Sequence, residues 1–185
     1  MKLLLIIFIF TLSLFANTAD SIKELIQIKS DKVLTILKDN NLTKEVKYNQ
    51  IDEEVNNLFD YNIMAMLSLG KKGRKLLDDK QKKLFVKLFT EHIKKSYFEK
   101  SDLLTDKKII VKKAKKQKSR IFIISEIVGK KDSSEMIYKF HKNKQGKWLI
   151  YDVEISGVSI ITSYRKQFQE ILKDNDVEKL LDVVK

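Results

Sequence analysis

The hydrophobic positions of the chain recur with a helical period at both ends and with a strand-like period between them. Up to residue 97 the apolar side chains are spaced by three and four, which places them on one face of a helix. This spacing predicts helices over residues 21–38, 43–55, 58–70 and 79–97. We expect the third helix to stop at Gly70, and residues 71–75 to form an exposed basic connection. The helical spacing returns after residue 157 and predicts helices over 158–173 and 176–184.

Between these helical segments the period changes to two, which is typical of strands. Strands are predicted to start at residue 109 and to cover 120–128, 135–141 and 147–155. The connections at 129–134 and 143–146 carry the Gly, Asn, Asp and Ser of short turns, so the strands form an antiparallel meander. In the last strand Leu149, Tyr151, Val153 and Ile155 are expected to share one face. Helices, then four strands, then helices predict an α+β domain whose curved sheet packs against helices.

The first residues have the form of a secretory signal peptide. A basic start is followed by an apolar run over residues 3–15 and then by the small residues Ala16 and Ala19. Thirteen residues are fewer than the roughly 20 that a membrane-spanning helix needs, so an uncleaved anchor is the weaker alternative. We therefore expect residues 1–16 to be a signal peptide, with cleavage no later than residue 19, and residues 17–185 to form a single exported domain.

Composition narrows the partners further. The chain carries 37 Lys+Arg against 25 Asp+Glu, a formal excess of +12, and all but three of the basic residues are lysine. Lysine lacks the planar fork that reads phosphates and base edges, and an exported chain does not meet chromosomal DNA or cytosolic RNA, so no nucleic-acid partner is expected. The chain has no cysteine, which excludes a disulfide framework, a thiolate nucleophile and a lipid anchor on cysteine.

Titratable residues show no catalytic or metal-binding constellation. His92 and His141 fall on a predicted helix and a predicted strand, with no second ligand at metal spacing. Asp152 and Glu154 lie two apart, as a pair of glycosidase carboxylates might, but neighbouring lysines favour a solvated or ion-paired surface. Neither an enzyme nor a cofactor is expected from these residues.

One segment resembles the nucleophile elbow of hydrolases. Gly157-Val158-Ser159 follows a strand into a helix, but Ile161 occupies the position of the final glycine in that motif. The simpler interpretation is that Ser159 caps the last helix and Gly157 permits the turn. A hydrolase that uses Ser159 is the weakest of the functional hypotheses.

A basic run over residues 107–118 is interpreted as the exposed end of a hairpin. If it has a function, its lysines would attract anionic headgroups or an acidic protein partner. The apolar residues include more large side chains than a plain two-layer packing needs, although a filled core remains the default expectation from sequence alone.

The segment 148–168 carries the most specific pattern. It reads W-x-x-Y-D-V into G-V-S and then Y-R-x-x-F, and it closely resembles the signature of the MlaC, or toluene-tolerance, family of periplasmic phospholipid-binding proteins. Phe59-Asp60, Leu69-Gly70 and the helix after Asp78 support the resemblance in the same order along the chain. Ser163 replaces the usual Asn before Tyr-Arg, and Gly73 stands where many members carry Trp.

The resemblance implies a four-stranded sheet of the NTF2/cystatin-like kind and a soluble periplasmic carrier. Such a carrier is a monomer without catalytic activity or cofactor, and its cargo is a single phospholipid. It moves this lipid between an outer-membrane lipoprotein–porin complex and an inner-membrane ABC transporter with its substrate-binding subunit, which maintains outer-membrane lipid asymmetry. The alternative is a periplasmic adaptor that docks an acidic partner through its lysine-rich face.

The resemblance and the aromatic surplus together assign a candidate site. The lipid-binding pocket is assigned to twelve apolar or aromatic residues: Phe59, Ile63, Phe85, Phe89, Tyr97, Tyr138, Phe140, Tyr151, Val153, Ile155, Ile161 and Tyr164. Five basic residues are expected to face the headgroup or a partner: Lys112, Lys113, Lys115, Lys116 and Arg165.

Overall fold

The computed structural model describes residues 18–185, so the expected signal peptide lies outside the described residues. The helices are α1 (Thr18–Lys38), α2 (Lys44–Val55), α3 (Tyr61–Leu76), α4 (Asp79–Glu99), α5 (Ile160–Ile171) and α6 (Val177–Val183). The strands are β1 (Lys108–Gln117), β2 (Arg120–Val128), β3 (Ser133–Lys142), β4 (Trp148–Ile155) and β5 (Val158–Ser159). Short 3₁₀ helices follow α2, α4 and α5. None of the helices within residues 18–185 is long and apolar enough to cross a bilayer.

The strands form one antiparallel sheet in the order β1-β2-β3-β4-β5. Each strand pairs with its neighbour along the chain, because the connections are short turns of the predicted composition. The α+β class and the antiparallel meander are therefore confirmed. The predicted sheet of four strands gains a two-residue fifth strand, β5, which precedes α5.

Helix α1 covers the free edge of the sheet through one side chain. The Gln27 amide donates from Nε2 to the Ile109 carbonyl at 3.0 Å, and its Oε1 accepts from the Val111 N–H at 2.8 Å. Gln27 therefore satisfies backbone groups that an edge strand would otherwise leave open to another chain. This contact also fixes how α1 lies against β1.

The predicted end of the third helix at Gly70 is wrong in part. Gly70 has φ 66° and ψ −171°, which interrupts helical geometry, but the chain then resumes the helix to Leu76. Residues 71–75 are therefore helical and not a loop. Gly73 lies in the resumed helix, where a Cβ would lie 3.0 Å from Leu172 Cδ1, so glycine allows close packing beside the end of α5.

A bulge in β4 overturns the prediction that alternate residues from Leu149 to Ile155 share one face. Lys139 pairs with Asp152 whereas Phe140 pairs with Ile150, so Tyr151 is the extra residue between the two pairs. An extra residue reverses the alternation of faces beyond it. Ile150 therefore takes the place expected for Tyr151.

Buried apolar side chains form two clusters. The sheet cluster joins α1 to the inner face of the sheet and includes Ile22, Ile26, Leu34, Ile109, Val111, Ile121, Ile123, Met136, Phe140, Ile150 and Val153. The helical cluster joins α3, α4, α5 and α6 and includes Met64, Leu69, Phe85, Phe89, Ile93, Ile161, Phe168, Leu172 and Leu180. Phe59 and Ile160 pack against both clusters, so they mark the boundary between them.

Candidate functional site

A cavity of about 460 Å³ lies between the sheet and the helices that cover it. We call it the main cavity. Helix α1 contributes Ile26, Lys29, Ser30 and Val33; α2 contributes Tyr48, Ile51, Asp52 and Val55; and α4 contributes Ile93, Lys94, Tyr97 and Phe98. The sheet contributes Ile109, Ile127, Met136, Tyr138, Ile150, Val153 and Ile155. The volume falls within the range of roughly 300–1,000 Å³ that is common for ligand sites.

Helix α2 covers the main cavity and forms its roof. Ion pairs attach this helix to α4 and α1. Asp52 Oδ1 lies 2.7 Å from Lys94 Nζ on α4, and Glu54 pairs with Lys29 and Lys32 on α1. Hydrogen bonds from both lysines hold the pKa of Glu54 below its usual range. No residue of α2 is fully buried, so its apolar side chains cover the cavity without filling it.

The hydroxyls of Tyr97 and Tyr138 and two serines are among the polar groups of the wall, and the buried Ser101 hydroxyl has no hydrogen-bond partner within residues 18–185. Burial raises the pKa of Tyr138 to about 12, with the hydrogen bond to Ser30 opposing the shift, and burial likewise raises the pKa of Tyr97 to about 12. Both phenols therefore stay neutral at ordinary pH, and the wall remains apolar where it faces the cavity.

The main cavity opens beside the C-terminal end of α4. Leu103, in the 3₁₀ helix Ser101–Leu104, lines the cavity and is 71% exposed, and Tyr97 is 37% exposed. A second pocket of about 320 Å³, the side pocket, adjoins this opening. It is lined by Tyr97, Lys100, Ile155, Val158, Ile160, Ser163, Tyr164 and Gln167.

Five of the twelve residues predicted for the pocket line the main cavity. They are Phe59, Tyr97, Tyr138, Val153 and Ile155. A sixth, Tyr164, lines the side pocket. Whether these six contact a lipid stays a prediction.

The other predicted pocket residues lie elsewhere in the fold. Phe85, Phe89 and Ile161 belong to the helical cluster, where the Phe89 ring stands edge-on to Tyr164 at 5.3 Å. Phe140 is buried in the sheet cluster, and Ile63 is half-buried on α3. Their apolar spacing reflects packing against neighbouring side chains.

Tyr151, the bulge residue, has polar partners of its own. Its hydroxyl accepts a hydrogen bond from Arg120 Nη1 at 2.9 Å, and the Arg120 guanidinium lies 4.9 Å from its ring centroid. The His141 ring stands edge-on to it at 5.9 Å. Tyr151 thus joins β2, β3 and β4 and does not line either pocket.

The five predicted basic residues line neither the main cavity nor the side pocket. Lys112, Lys113, Lys115 and Lys116 lie on β1, and Lys112 pairs with Glu126 at 2.9 Å. Lys116 lies seven residues beyond Ile109, or about 23 Å along the strand. Arg165 donates from Nε to the Leu67 carbonyl at 2.7 Å, so it ties α5 to α3. A partner-facing role for the four lysines stays a prediction.

The carboxylates considered for catalysis organise the start of α5. Asp152 is 5% exposed, and its Oδ2 accepts from Lys139 Nζ at 3.0 Å and from Ser159 Oγ at 2.8 Å. Glu154 lies 2.7 Å from the same lysine, which confirms the ion-paired interpretation. Burial opposes the charge of Lys139, but hydrogen bonds to Glu154 and Asp152 hold its pKa above the ordinary value.

Ser159 and the two histidines also have structural partners. The Ser159 hydroxyl accepts from the Thr162 N–H at 3.0 Å, so the interpretation as a helix cap is confirmed, and Gly157 has the positive φ of the expected turn. His141 Nε2 lies 2.9 Å from Asp60 Oδ2, and His92 rests edge-on against Tyr164, with burial lowering its pKa. No group of metal-ligating side chains forms among residues 18–185.

Sequence reasoning missed the walls supplied by α1, α2 and the end of α4. Ile26 and Val33 are spaced by seven and Ile51 and Val55 by four, which is helical periodicity and does not distinguish a cavity wall from core packing. Lys100 was missed entirely, because a lysine at a helix end has an exposed position in any fold. The signal available was the weak amphipathic pattern of α2, which is typical of a helix that covers little buried surface.

The segment 148–168, which carries the most specific sequence pattern, contributes β4 to the wall of the main cavity and α5 to the wall of the side pocket. The sequence profile of the family described as MlaC protein matches residues 27–185. The chain belongs to the MlaC family. Among solved structures, this MlaC-family chain is similar to a phospholipid-binding protein from Ralstonia solanacearum that was determined in complex with a phospholipid.

The two structures share one fold. The TM-score is 0.74 at 18% sequence identity, and the alignment covers 88% of this chain and 93% of that chain. No curated protein matches the sequence. The MlaC-family fold is thus present over most of the chain, although few of its residues are shared with the Ralstonia protein.

Proposed function

We propose that this MlaC-family protein is a phospholipid carrier whose main cavity holds the acyl chains. The observation that carries the proposal is an apolar cavity of about 460 Å³ lined by the sheet and by residues of α1 to α5. The structurally similar Ralstonia protein, named as phospholipid-binding and determined with a phospholipid, supports the assignment of the cargo.

The energetics of a carrier fit such a wall. Two acyl chains with about 30 methylenes, at about 0.8 kcal/mol each, would cost about 24 kcal/mol to hold in water. A carrier therefore needs an interior nearly as apolar as the bilayer. Most of the residues that line the main cavity are aliphatic or aromatic, so few polar groups would lie against a chain.

Membership of the MlaC family supports the finer parts of the proposal. The carrier is exported to the periplasm behind its signal peptide and acts as a soluble monomer, without catalysis or a cofactor. It transfers single phospholipids between an outer-membrane lipoprotein–porin complex and an inner-membrane ABC transporter, and so maintains lipid asymmetry.

Native mass spectrometry of the purified protein, followed by lipid extraction, tests the proposal. One phospholipid per chain is expected in the parent. Val153→Asp places a carboxylate on the cavity wall opposite Tyr138, and we expect it to abolish lipid carriage while the chain stays folded. Val46→Asp is the matched control, since Val46 is exposed on α2 and does not line the cavity.

Two results would contradict the proposal. If Val153→Asp carried as much lipid as the parent, β4 would not present Val153 to the cargo. If the parent purified without lipid and took up none, the adaptor that docks an acidic partner would be the better hypothesis. Circular dichroism of each variant establishes that the fold is retained.

A further inference from the structure

The side pocket differs from the main cavity in its polar lining. Ser163, Tyr164 and Gln167 on α5 and Lys100 after α4 face it, whereas most of the main cavity is aliphatic or aromatic. Among residues 18–185, no aspartate or glutamate lines it. The side pocket therefore offers hydrogen bonds and one positive charge, which do not suit an acyl chain.

The two spaces adjoin at the opening. Tyr97, Lys100, Ile155 and Ile160 line both the main cavity and the side pocket. A molecule whose chains occupy the main cavity would therefore have its polar end at this shared wall, in reach of the side pocket.

Lys100 is distinguished from the other lysines at the main cavity by its lack of a carboxylate partner. Lys29 pairs with Glu54, and Lys94 pairs with Asp52. Across residues 18–185, no carboxylate forms an ion pair with Lys100, and its Nζ lies 5.8 Å from the centroid of the Tyr97 ring. Its charge is therefore available to a ligand at the point where the two spaces meet.

We propose that the side pocket is the headgroup site of the carrier, and that Lys100 Nζ binds the phosphodiester of the lipid. This inference rests on the proposed function. Ser163, Tyr164 and Gln167 would bond the uncharged part of the headgroup, and lysine suits a phosphate because it acts as a compact point charge. The cargo class is then a diacyl lipid with an anionic phosphodiester, in preference to a neutral diacylglycerol.

Competitive loading tests the assignment. The processed protein is incubated with equal amounts of dioleoyl phosphatidylglycerol and dioleoylglycerol, which share acyl chains, and the bound lipids are quantified by native mass spectrometry. We expect the parent to prefer the phospholipid, and Lys100→Gln to lower that preference about tenfold. Lys100→Arg should retain it, and Lys95→Gln, an exposed change on α4, should leave it unchanged.

A second measurement needs no substitution. Because Lys100 is exposed, the preference of the parent for phosphatidylglycerol should fall as the salt concentration of the loading step rises. A preference that resists salt would overturn the assignment of the charge contact.

The outcomes separate this inference from the proposed function. Equal preferences in the parent and Lys100→Gln, with lipid bound in both, would overturn the headgroup site and leave the carrier intact. Stronger loading of oleate than of phosphatidylglycerol would also overturn it, since a single-chain carboxylate would then be the better ligand. Failure of the parent to bind either diacyl lipid would contradict the carrier itself.

Discussion

The helical cluster and the sheet cluster are both apolar, but aromatic rings fill the middle of the first, whereas many residues of the second line the main cavity. In the helical cluster Phe85, Phe89 and Phe168 stand edge-on or stacked, with ring centroids 5.6 to 6.2 Å apart. Phe85 and Phe89 lie in the middle of α4. At the end of the same helix, Tyr97 and Phe98 line the main cavity, which the sheet cluster borders. One helix thus supplies a solid core in its middle and a cavity wall at its end.

The position of α2 explains the difference. Residues of α3 and α5 close over the middle of α4, but the end of α4 faces α2, which has no fully buried residue. Ion pairs from Asp52 and Glu54 attach α2 to its neighbours, and Tyr48 stands edge-on to Phe98 at 5.0 Å. The main cavity therefore arises because ion pairs hold α2 in place without burying its side chains, and not because large side chains are scarce.

The largest expected effect comes from truncating one phenylalanine in the middle of α4 and comparing it with the same truncation at the end of α4. Phe89→Ala should lower the free energy of unfolding by about 3–5 kcal/mol, because it leaves a void in a fully buried aromatic cluster. Phe98→Ala should cost only about 1–2 kcal/mol, because Phe98 is half-buried and already faces empty space. Denaturant unfolding of the lipid-free proteins measures both values.

Equal losses for the two variants would break the comparison. They would mean that the end of α4 is as tightly packed as its middle, and that the main cavity collapses in solution. The slope of the denaturant transition should stay the same in both variants, which shows that the truncations do not alter the unfolded state.

The sequence was sufficient to predict the apolar face of each helix, but not to predict whether that face packs against side chains or lines a cavity. Phe85, Phe89 and Tyr97 share one helical period on α4, and all three were assigned to the pocket. Only Tyr97 lines it, because the spacing of residues along one helix carries no information on the distance to the next helix. The fold class could be predicted since it depends on period and turn composition, which are local.

The bulge at Tyr151 shows a second limit. Strict alternation places Tyr151 and Val153 on the same face, and a single extra residue in β4 exchanges Tyr151 for Ile150. The contact that fixes Tyr151 comes from Arg120, 31 residues earlier in the chain. Register shifts of this kind depend on neighbouring strands, so a pattern read along one strand does not reveal them.

An alkaline titration extends the comparison of the two clusters, because it reports whether water enters the main cavity. Burial raises the pKa of Tyr138 to about 12 from an unfolded value near 10, so its contribution to stability is complete below pH 10 and is lost as pH rises towards 12. The free energy of unfolding should fall by about 2 kcal/mol more in the parent than in Tyr138→Phe over this range. Denaturant unfolding of lipid-free protein at pH 8 and above pH 11 measures the difference.

The same fall in both proteins would mean that water reaches the Tyr138 hydroxyl through the main cavity. The cavity would then resemble a hydrated cleft, and its contrast with the helical cluster would extend to solvent content. Ser30→Ala serves as a control, since it removes the hydroxyl that opposes the rise in the pKa of Tyr138 but leaves the phenol in place.

The smallest expected effect tests whether ion pairs, and not apolar packing, hold α2 over the main cavity. Asp52→Asn removes the pair with Lys94, whose Nζ then keeps only its position 5.2 Å from the centroid of the Tyr61 ring. Because the pair is partly exposed, the free energy of unfolding should fall by less than about 1 kcal/mol. Hydrogen exchange of the backbone amides in α2 should nevertheless quicken about two- to fivefold, since α2 has no buried side chain to restrain it. Glu170→Gln, which breaks an exposed pair with Lys173 at the end of α5, is the control and should leave exchange in α2 unchanged. Unaltered exchange in Asp52→Asn would show that the apolar contacts of α2 suffice, and the roof would then differ from the helical cluster only in degree.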